Sequence, residues 1–155
     1  MNIVRDIVPP IITFFQISNV LAGLSTRPRP SQLLDIGSGD GRIVMATAAA
    51  GFRSTGIEIN PWLVLYSKMR SWRADYSQLR PLTRFVRGDL WKFPLSSYDN
   101  VVVFGVEEMM TPLRKKMEAE LKTGSRVVVC RFPIEEWKPS STIGEGVDTV
   151  WLYDR

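Results

Sequence analysis

The sequence contains no histidine and a single cysteine, Cys130. Without histidine there can be no Ser-His-Asp triad, no Cys-His pair and no His-ligated zinc, and one thiol cannot close an intramolecular disulfide. A metal site would have to be built from carboxylates alone, and none is expected. No stretch offers the roughly 18 to 20 continuous apolar residues that a membrane-spanning helix needs. The nearest is the uncharged run from Ile7 to Thr26, which Pro9, Pro10, Gln16, Ser18 and Asn19 interrupt. It lacks the small-residue cleavage pattern of a secretory signal. It reads as a helix packed on the domain, a membrane-touching segment or the remnant of a targeting sequence.

What is present fits one domain. With 155 residues, 45% hydrophobic and 23% charged, the chain can build a core without disulfides or a structural metal. Twenty Lys and Arg against 16 Asp and Glu leave a formal charge of +4, which favours anionic partners such as a phosphate-bearing cofactor or an acidic membrane surface. The basic residues are scattered, so no nucleic-acid partner is expected.

Short β-rich runs alternate with helical stretches, which argues for an α/β fold. The runs are Leu33 to Ile36, Thr55 to Ile59, Arg84 to Val86, Val101 to Phe104, Arg126 to Arg131 and Thr149 to Tyr153. Consecutive apolar residues in Val101 to Phe104 and Val127 to Val129 suit strands covered on both faces of a parallel sheet. The last run reads as an edge strand. Between them, Arg42 to Ala50 reads as a helix ending at Gly51, and Pro61 opens a helix carrying Leu65, Met69 and Trp72 at helical spacing. A third helix is expected to start with Thr111 as N-cap and Pro112 at its first position, with Leu113, Met117 and Leu121 on one face. That reading leaves Gly105 to Met110 as a loop at the carboxyl end of a strand.

The strongest chemical signal is Asp35-Ile-Gly37-Ser38-Gly39-Asp40-Gly41-Arg42, directly after the first strand and opening a helix. Glycines at alternate positions let backbone approach a ligand closely. Glu58 follows Gly37 by 21 positions and closes the second strand, where a carboxylate can accept from both hydroxyls of a ribose. That pairing fits a dinucleotide or S-adenosylmethionine. Asp89, in Arg87-Gly88-Asp89-Leu90, repeats the pattern after the third strand: it could accept from an adenine amino group while Leu90 packs on the ring.

Together with Gly56-Ile-Glu58-Ile59-Asn-Pro-Trp62, Gly88-Asp-Leu-Trp91, Val103-Phe-Gly-Val106 and Gly144-Glu-Gly-Val-Asp-Thr-Val-Trp151, these residues resemble the seven-β-strand methyltransferases that use S-adenosylmethionine. Within that superfamily they are most similar to mitochondrial protein-lysine methyltransferases that modify the ATP synthase c subunit and the adenine nucleotide translocase. The resemblance covers about residues 13 to 155. It implies a three-layer Rossmann-like fold with a mostly parallel sheet and a reversed last strand, a seventh strand being sought between Pro133 and Ile143. It also implies an amino-terminal segment, residues 1–30, that packs on or gates the cofactor site of a methyltransferase domain, residues 31–155. Thr13-Phe-Phe-Gln16-Ile-Ser-Asn19-Val20 matches a stretch that closes over the cofactor in such proteins, whose longer hydrophobic, targeting segment would precede it; here Pro10-Ile-Ile precedes Thr13.

By the same resemblance Asp35, Gly37 and Gly39 line the methionine and ribose part of the cofactor, Glu58 binds the ribose hydroxyls and Asp89 the adenine, with Ser38, Gly41, Ile59 and Leu90 beside them as cofactor residues. The loop after Phe104 lies where the substrate amine should arrive: Gly105 and Met109 are expected at a substrate channel, and Glu107 or Glu108 could attract the ammonium, Glu107 being the candidate catalytic group. The implied enzyme is a monomer that methylates a lysine of a mitochondrial inner-membrane protein and touches the membrane surface. A non-catalytic module on this fold and an NAD-dependent oxidoreductase are the alternatives. Against the latter, the glycines read GxGxG and no Tyr-Lys or His catalytic set is visible. Trp62, Trp91 and Trp137 are expected to pack in the core, the alternative being faces for a lysine ammonium or its methylated product; Arg70, Arg73, Lys115 and Lys116 are expected to form a solvated basic face, the alternative being contact with anionic lipid.

Overall fold

A computed structural model describes residues 13–155; the expectations for Ile7 to Ile12 lie outside the described residues. The elements run α1 (Phe14–Leu24), β1 (Gln32–Ile36), α2 (Arg42–Ala49), β2 (Arg53–Glu58), α3 (Pro61–Ser71), β3 (Thr83–Arg87), β4 (Asn100–Phe104), α4 (Glu107–Glu120), β5 (Arg126–Cys130), β6 (Ser141–Ile143) and β7 (Val150–Asp154). The seven strands form one sheet in the order β3-β2-β1-β4-β5-β7-β6. All pairings up to β5 are parallel, and β7 runs antiparallel to both β5 and β6. The α/β class and the reversed last strand are thus both present.

Alternation along the strands sorts the core into two layers. Leu34, Ile36, Val101, Val103, Val127 and Val129 face α4, where Met110, Leu113 and Met117 are buried against them. Leu33, Val102, Val128 and Cys130 face the other way, under Val20 and Leu24 of α1 and Ile43 of α2. Further along that face α3 packs on β3, with Val64 beside Phe85, Val44 and Met45. Arg126 ties this architecture together. Its guanidinium makes a two-pronged contact to Asp154 at 2.7 and 3.0 Å and donates to the Gly23 carbonyl at 2.9 Å, joining β5, β7 and the end of α1.

Two expectations need correction. Thr149 to Tyr153 is not an edge strand: β7 lies inside the sheet and the three-residue β6 forms the edge. A buried pattern at Val150, Leu152 and Tyr153 fits that interior place. The third helix is not capped by Thr111 but starts five residues earlier than expected, with Val106 as an N-cap that has no side-chain hydrogen bond. Glu107 and Glu108 in its first turn suit the positive end of the helix dipole, and burial of Met110, Leu113 and Met117 on one face holds the added turn in register. Pro112 therefore sits inside the helix, where its missing N–H withdraws a donor from the Glu108 carbonyl.

Candidate functional site

The strand order reverses between β1 and β4, so the loops leaving their carboxyl ends diverge and open a crevice at that edge. Gly37 lies in this crevice, its α-carbon facing the Phe104 carbonyl across the gap. The Gly37 and Ser38 N–H groups both donate to the Ile57 carbonyl, at 3.0 and 3.1 Å, which draws the glycine turn over the end of β2. That approach needs Gly56. A Cβ there would stand 2.6 Å from Ser38 and 2.8 Å from Val44.

The glycines of the turn do different work. Gly41, at φ +81°, is the N-cap of α2, and a Cβ on it would meet the Phe85 ring at 2.7 Å and Ser67 Oγ at 3.0 Å. It allows α2, α3 and β3 to converge and faces packed side chains. Gly39, at φ +54°, is the opposite case: an added Cβ finds nothing within 4 Å among the described residues. Its carbonyl accepts from Ser67 Oγ at 3.1 Å and its N–H donates to Glu58 Oε2 at 3.0 Å, so the turn is fixed while one side of it stays open.

Glu58 is held in turn. Its second oxygen accepts from the Asn60 N–H at 3.0 Å, and a carboxylate offers about four lone-pair sites. Two acceptor positions therefore remain for paired hydroxyls. Asp89 closes the next strand in the same edge, accepting from the Trp91 N–H at 2.9 Å. Beside these two acids stand Ile59, 69% exposed, and the half-buried Leu90. An apolar side chain next to each acid suits a flat ring with polar edges.

Asp35 is the most unusual residue at this edge. It is 1% exposed, and among the described residues neither carboxylate oxygen has a hydrogen-bond partner. Burial, with repulsion from Glu58 and Asp40 added, pushes its pKa up to about 8. An orphaned carboxyl in a dry crevice is costly. It fits a ligand that brings positive charge or N–H donors, as the ammonium and sulfonium of S-adenosylmethionine would. Cys130 lies near it; burial first, and the charge of Asp35 second, raise that thiol to about 12. It is an inert core residue.

The other residues singled out in the sequence divide. Gly105 is buried, and a Cβ on it would stand 2.5 Å from Met109 Sδ, so Met109 folds back over the end of β4. Glu107 is exposed at the start of α4, on a helical turn and not on the expected loop. The core expectation fails for Trp62, 76% exposed, and for Trp91, whereas Trp137 packs edge-on to Tyr153 at 5.7 Å and donates to Glu118 at 2.8 Å. Lys116 is not on a solvated face either. It pairs with Glu120 at 2.5 Å and is largely covered.

Two features carry no signal in the sequence. Arg131, just past β5, adopts φ +75°, and its guanidinium lies over the rings of Phe104 and Phe132 at 5.7 and 5.8 Å. A left-handed non-glycine residue at a strand end beside the crevice is strained in the manner of functional sites. The second joins α1 to the segment before β7. Thr13 donates to Asp148 Oδ1 at 2.5 Å, Gln16 to the Val147 carbonyl at 2.6 Å and Asn19 to the Asp148 carbonyl at 2.9 Å. Thr13 and Gln16 also form a reciprocal capping box. Since Val150 pairs with Cys130 at the carboxyl end of β5, these contacts hold the start of α1, with exposed Phe14 and Phe15, at the same edge as the glycine turn. Asp148→Ala removes one anchor. It is expected to cost about 1 to 2 kcal/mol in thermal unfolding and to speed amide exchange in the first turn of α1; exchange unchanged there would show that the capping box alone suffices.

A cleft of about 400 Å³ also opens at the far, amino-terminal edge of the sheet, lined among others by Gln32, Arg53, Thr83 and Arg84. Among the described residues its lining shares none with the glycine turn and includes no acid. Asp35, Glu58 and Asp89 gather at the carboxyl edge instead.

Comparison with known proteins gives the family. Residues 35–141 match the family described as the ANTKMT methyltransferase domain. The lysine N-methyltransferase of Rattus norvegicus named for the ATP synthase c subunit is 52% identical over 139 residues, covering 90% of this chain and 62% of that protein. The adenine nucleotide translocase lysine N-methyltransferase of Mus musculus is 45% identical over 140 residues, 90% of this chain and 59% of that protein. The chain thus spans about three-fifths of the length of these curated relatives. Among solved structures, an RNA methyltransferase from Salinibacter ruber in complex with S-adenosyl-L-homocysteine superposes with a TM-score of 0.80 at 28% identity, covering 93% of this chain and 92% of that one.

Proposed function

The chain belongs to the ANTKMT methyltransferase domain family, and from that premise we propose that it is a protein-lysine N-methyltransferase that uses S-adenosylmethionine and acts on a mitochondrial inner-membrane protein. The observation that carries the cofactor reading is the buried carboxyl of Asp35, partnerless among the described residues, in the same strand-to-helix connection whose Gly39 has an open side. The lysine acceptor is supported by the names of the relatives at 52% and 45% identity, which point to the ATP synthase c subunit and the adenine nucleotide translocase. The unit 31–155 binds the cofactor, and α1 covers it from the amino-terminal side.

In this reading Asp35, Gly37, Ser38 and Gly39 hold the amino-acid end of the cofactor, and Glu58 accepts from its ribose hydroxyls. Asp89 meets the adenine edge while Ile59 and Leu90 cover the ring faces. Gly41 contributes by shaping the turn. When bound, the cofactor supplies a methyl group on sulfonium sulfur, already activated toward a nucleophile. The chain has then to position a neutral lysine nitrogen in line and exclude water. A free lysine titrates near ~10.4, and desolvation between Met109, Phe104 and the exposed rim of α1 favours loss of its proton. Glu107, exposed at the mouth, attracts the incoming ammonium and accepts from it.

The test offers labelled S-adenosylmethionine with detergent-solubilised mitochondrial membrane protein, soluble protein and RNA as separate acceptors. Label on lysine of a membrane protein is the expected result. Label confined to RNA, or binding of S-adenosylhomocysteine with no transfer to any acceptor, would overturn it in favour of a nucleic-acid enzyme or a non-catalytic module.

A further inference from the structure

Helix α3 is turned inside out. The side packed on the sheet carries the small or modest residues Val64, Ser67 and Ser71, which are its buried positions. The side facing outward carries Trp62, Leu65, Tyr66 and Met69, continued by Trp72 just past the helix end, and these are 76, 48, 53, 62 and 71% exposed. At 100° per residue, all five fall on the face opposite the buried one. The packing explains the buried side: Ser67 donates to the Gly39 carbonyl at 3.1 Å, and only small residues let α3 approach the glycine turn so closely. Nothing about packing explains the exposed side.

Charge distinguishes what this face meets. From Ile59 to Arg73 the chain has no acidic residue and three cations, Lys68, Arg70 and Arg73. Lys68 and Arg70 project on opposite flanks of the apolar face, and Arg73 extends its far end. Arg70 is partly engaged by Asp40 at 3.5 Å, and Arg73 by the exposed Asp75 at 3.8 Å. Tryptophan, tyrosine, leucine and methionine on one face, bordered by lysine and arginine, is the pattern of a helix lying in the interfacial plane of an anionic bilayer. A protein groove of the usual kind would want complementary acids near its rim, and so would a second copy of this basic face.

We propose that the outward face of α3 is a docking surface for anionic membrane, through which Trp62, Leu65, Tyr66, Met69 and Trp72 enter the headgroup boundary while Lys68 and Arg73 meet lipid phosphate. The helix is about 16 Å long, and its first turn adjoins Glu58 at the carboxyl edge. Docking on this flank sets the mouth of the crevice level with the headgroups, where a lysine at the end of a membrane-embedded segment is held. The use made of the surface rests on the function proposed above, but vesicle binding is read without methyl transfer, so either reading can fail alone.

The full chain is sedimented with vesicles of phosphatidylcholine alone and of equal parts phosphatidylcholine and phosphatidylglycerol. The wild type is expected to bind the anionic vesicles and to release as salt is raised. The triple variant Leu65→Ser/Met69→Ser/Trp72→Ser, whose fold is checked by its circular dichroism and unfolding midpoint, should bind at least about tenfold more weakly. Lys68→Glu/Arg73→Glu should lose the preference for anionic vesicles while keeping the apolar face. Absence of wild-type binding, or equal binding by the triple variant, would overturn the proposal. So would a dimer in sedimentation equilibrium that the triple variant abolishes, since the face would then be covered by a second copy.

Discussion

Gly39→Arg should abolish binding of S-adenosylhomocysteine, with a loss of at least about a hundredfold, while leaving the fold in place. The two halves of that expectation have separate grounds. Gly39 sits at φ +54° with nothing among the described residues within 4 Å of an added Cβ, so the fold gains no clash and the substitution costs only the left-handed backbone strain of about 1 to 2 kcal/mol. The same open space is where a ligand bound to Glu58 and Asp35 would lie, and a long cationic side chain fills it. Gly39→Ala intrudes by one methyl and should weaken binding less. Titration calorimetry with matched unfolding curves reads both. Affinity unchanged in Gly39→Arg would remove the glycine turn from the site; a variant that fails to fold would show that the open side of Gly39 is structural.

Asp35→Asn should weaken cofactor binding by about 10- to 100-fold, the range for losing a charged hydrogen-bond partner, and should remove a pH dependence of stability. In the folded, ligand-free chain this carboxyl titrates at about 8 instead of 3.8. Between those values the unfolded chain has released its proton and the folded chain keeps it, so the group lowers stability as pH rises from about 4 to about 8, by at most ~1.4 kcal/mol per unit. Above that window no further loss follows. The variant lacks this slope, so at pH 9 it should unfold at a higher temperature than the wild type and at pH 4 at nearly the same one. Binding runs the other way: a positively charged ligand favours the ionised carboxyl, so wild-type affinity should rise with pH across the window and protons should be released. Asparagine removes that rise. Parallel wild-type and variant profiles would mean that Asp35 is not the group that titrates.

The site is more legible in the sequence than its surroundings. Asp35, Glu58 and Asp89 are visible because acids at strand ends break apolar runs, and Gly37 and Gly39 because glycine at alternate positions has few other uses. Asp35 as an orphan is not visible, since its isolation depends on burial inside the sheet, where Val102 of β4 stands opposite it. Strand β6 is reached through the resemblance, which places a strand between Pro133 and Ile143, and not through the residues, because Ser141, Thr142 and Ile143 are exposed or half-buried and form no apolar run. Thr111-Pro112 looks like a helix start by local chemistry; burial of Met110 and the acids of the first turn outweigh it. The stripe of α3 is readable as a stripe but not as an outward one. Periodicity gives the face, and only the narrow gap at Gly41 and Ser67 shows which side must be small.

The most direct measurement is an equilibrium titration of the full chain with S-adenosylhomocysteine, repeated in the presence of excess NAD. One saturable site that NAD does not displace, and that Glu58→Ala weakens because the ribose hydroxyls lose their acceptor, is the expected result. No saturable binding, or displacement by NAD at lower concentration than S-adenosylhomocysteine, would contradict the assignment of the β1-β2-β3 carboxyl edge as a methyl-donor site.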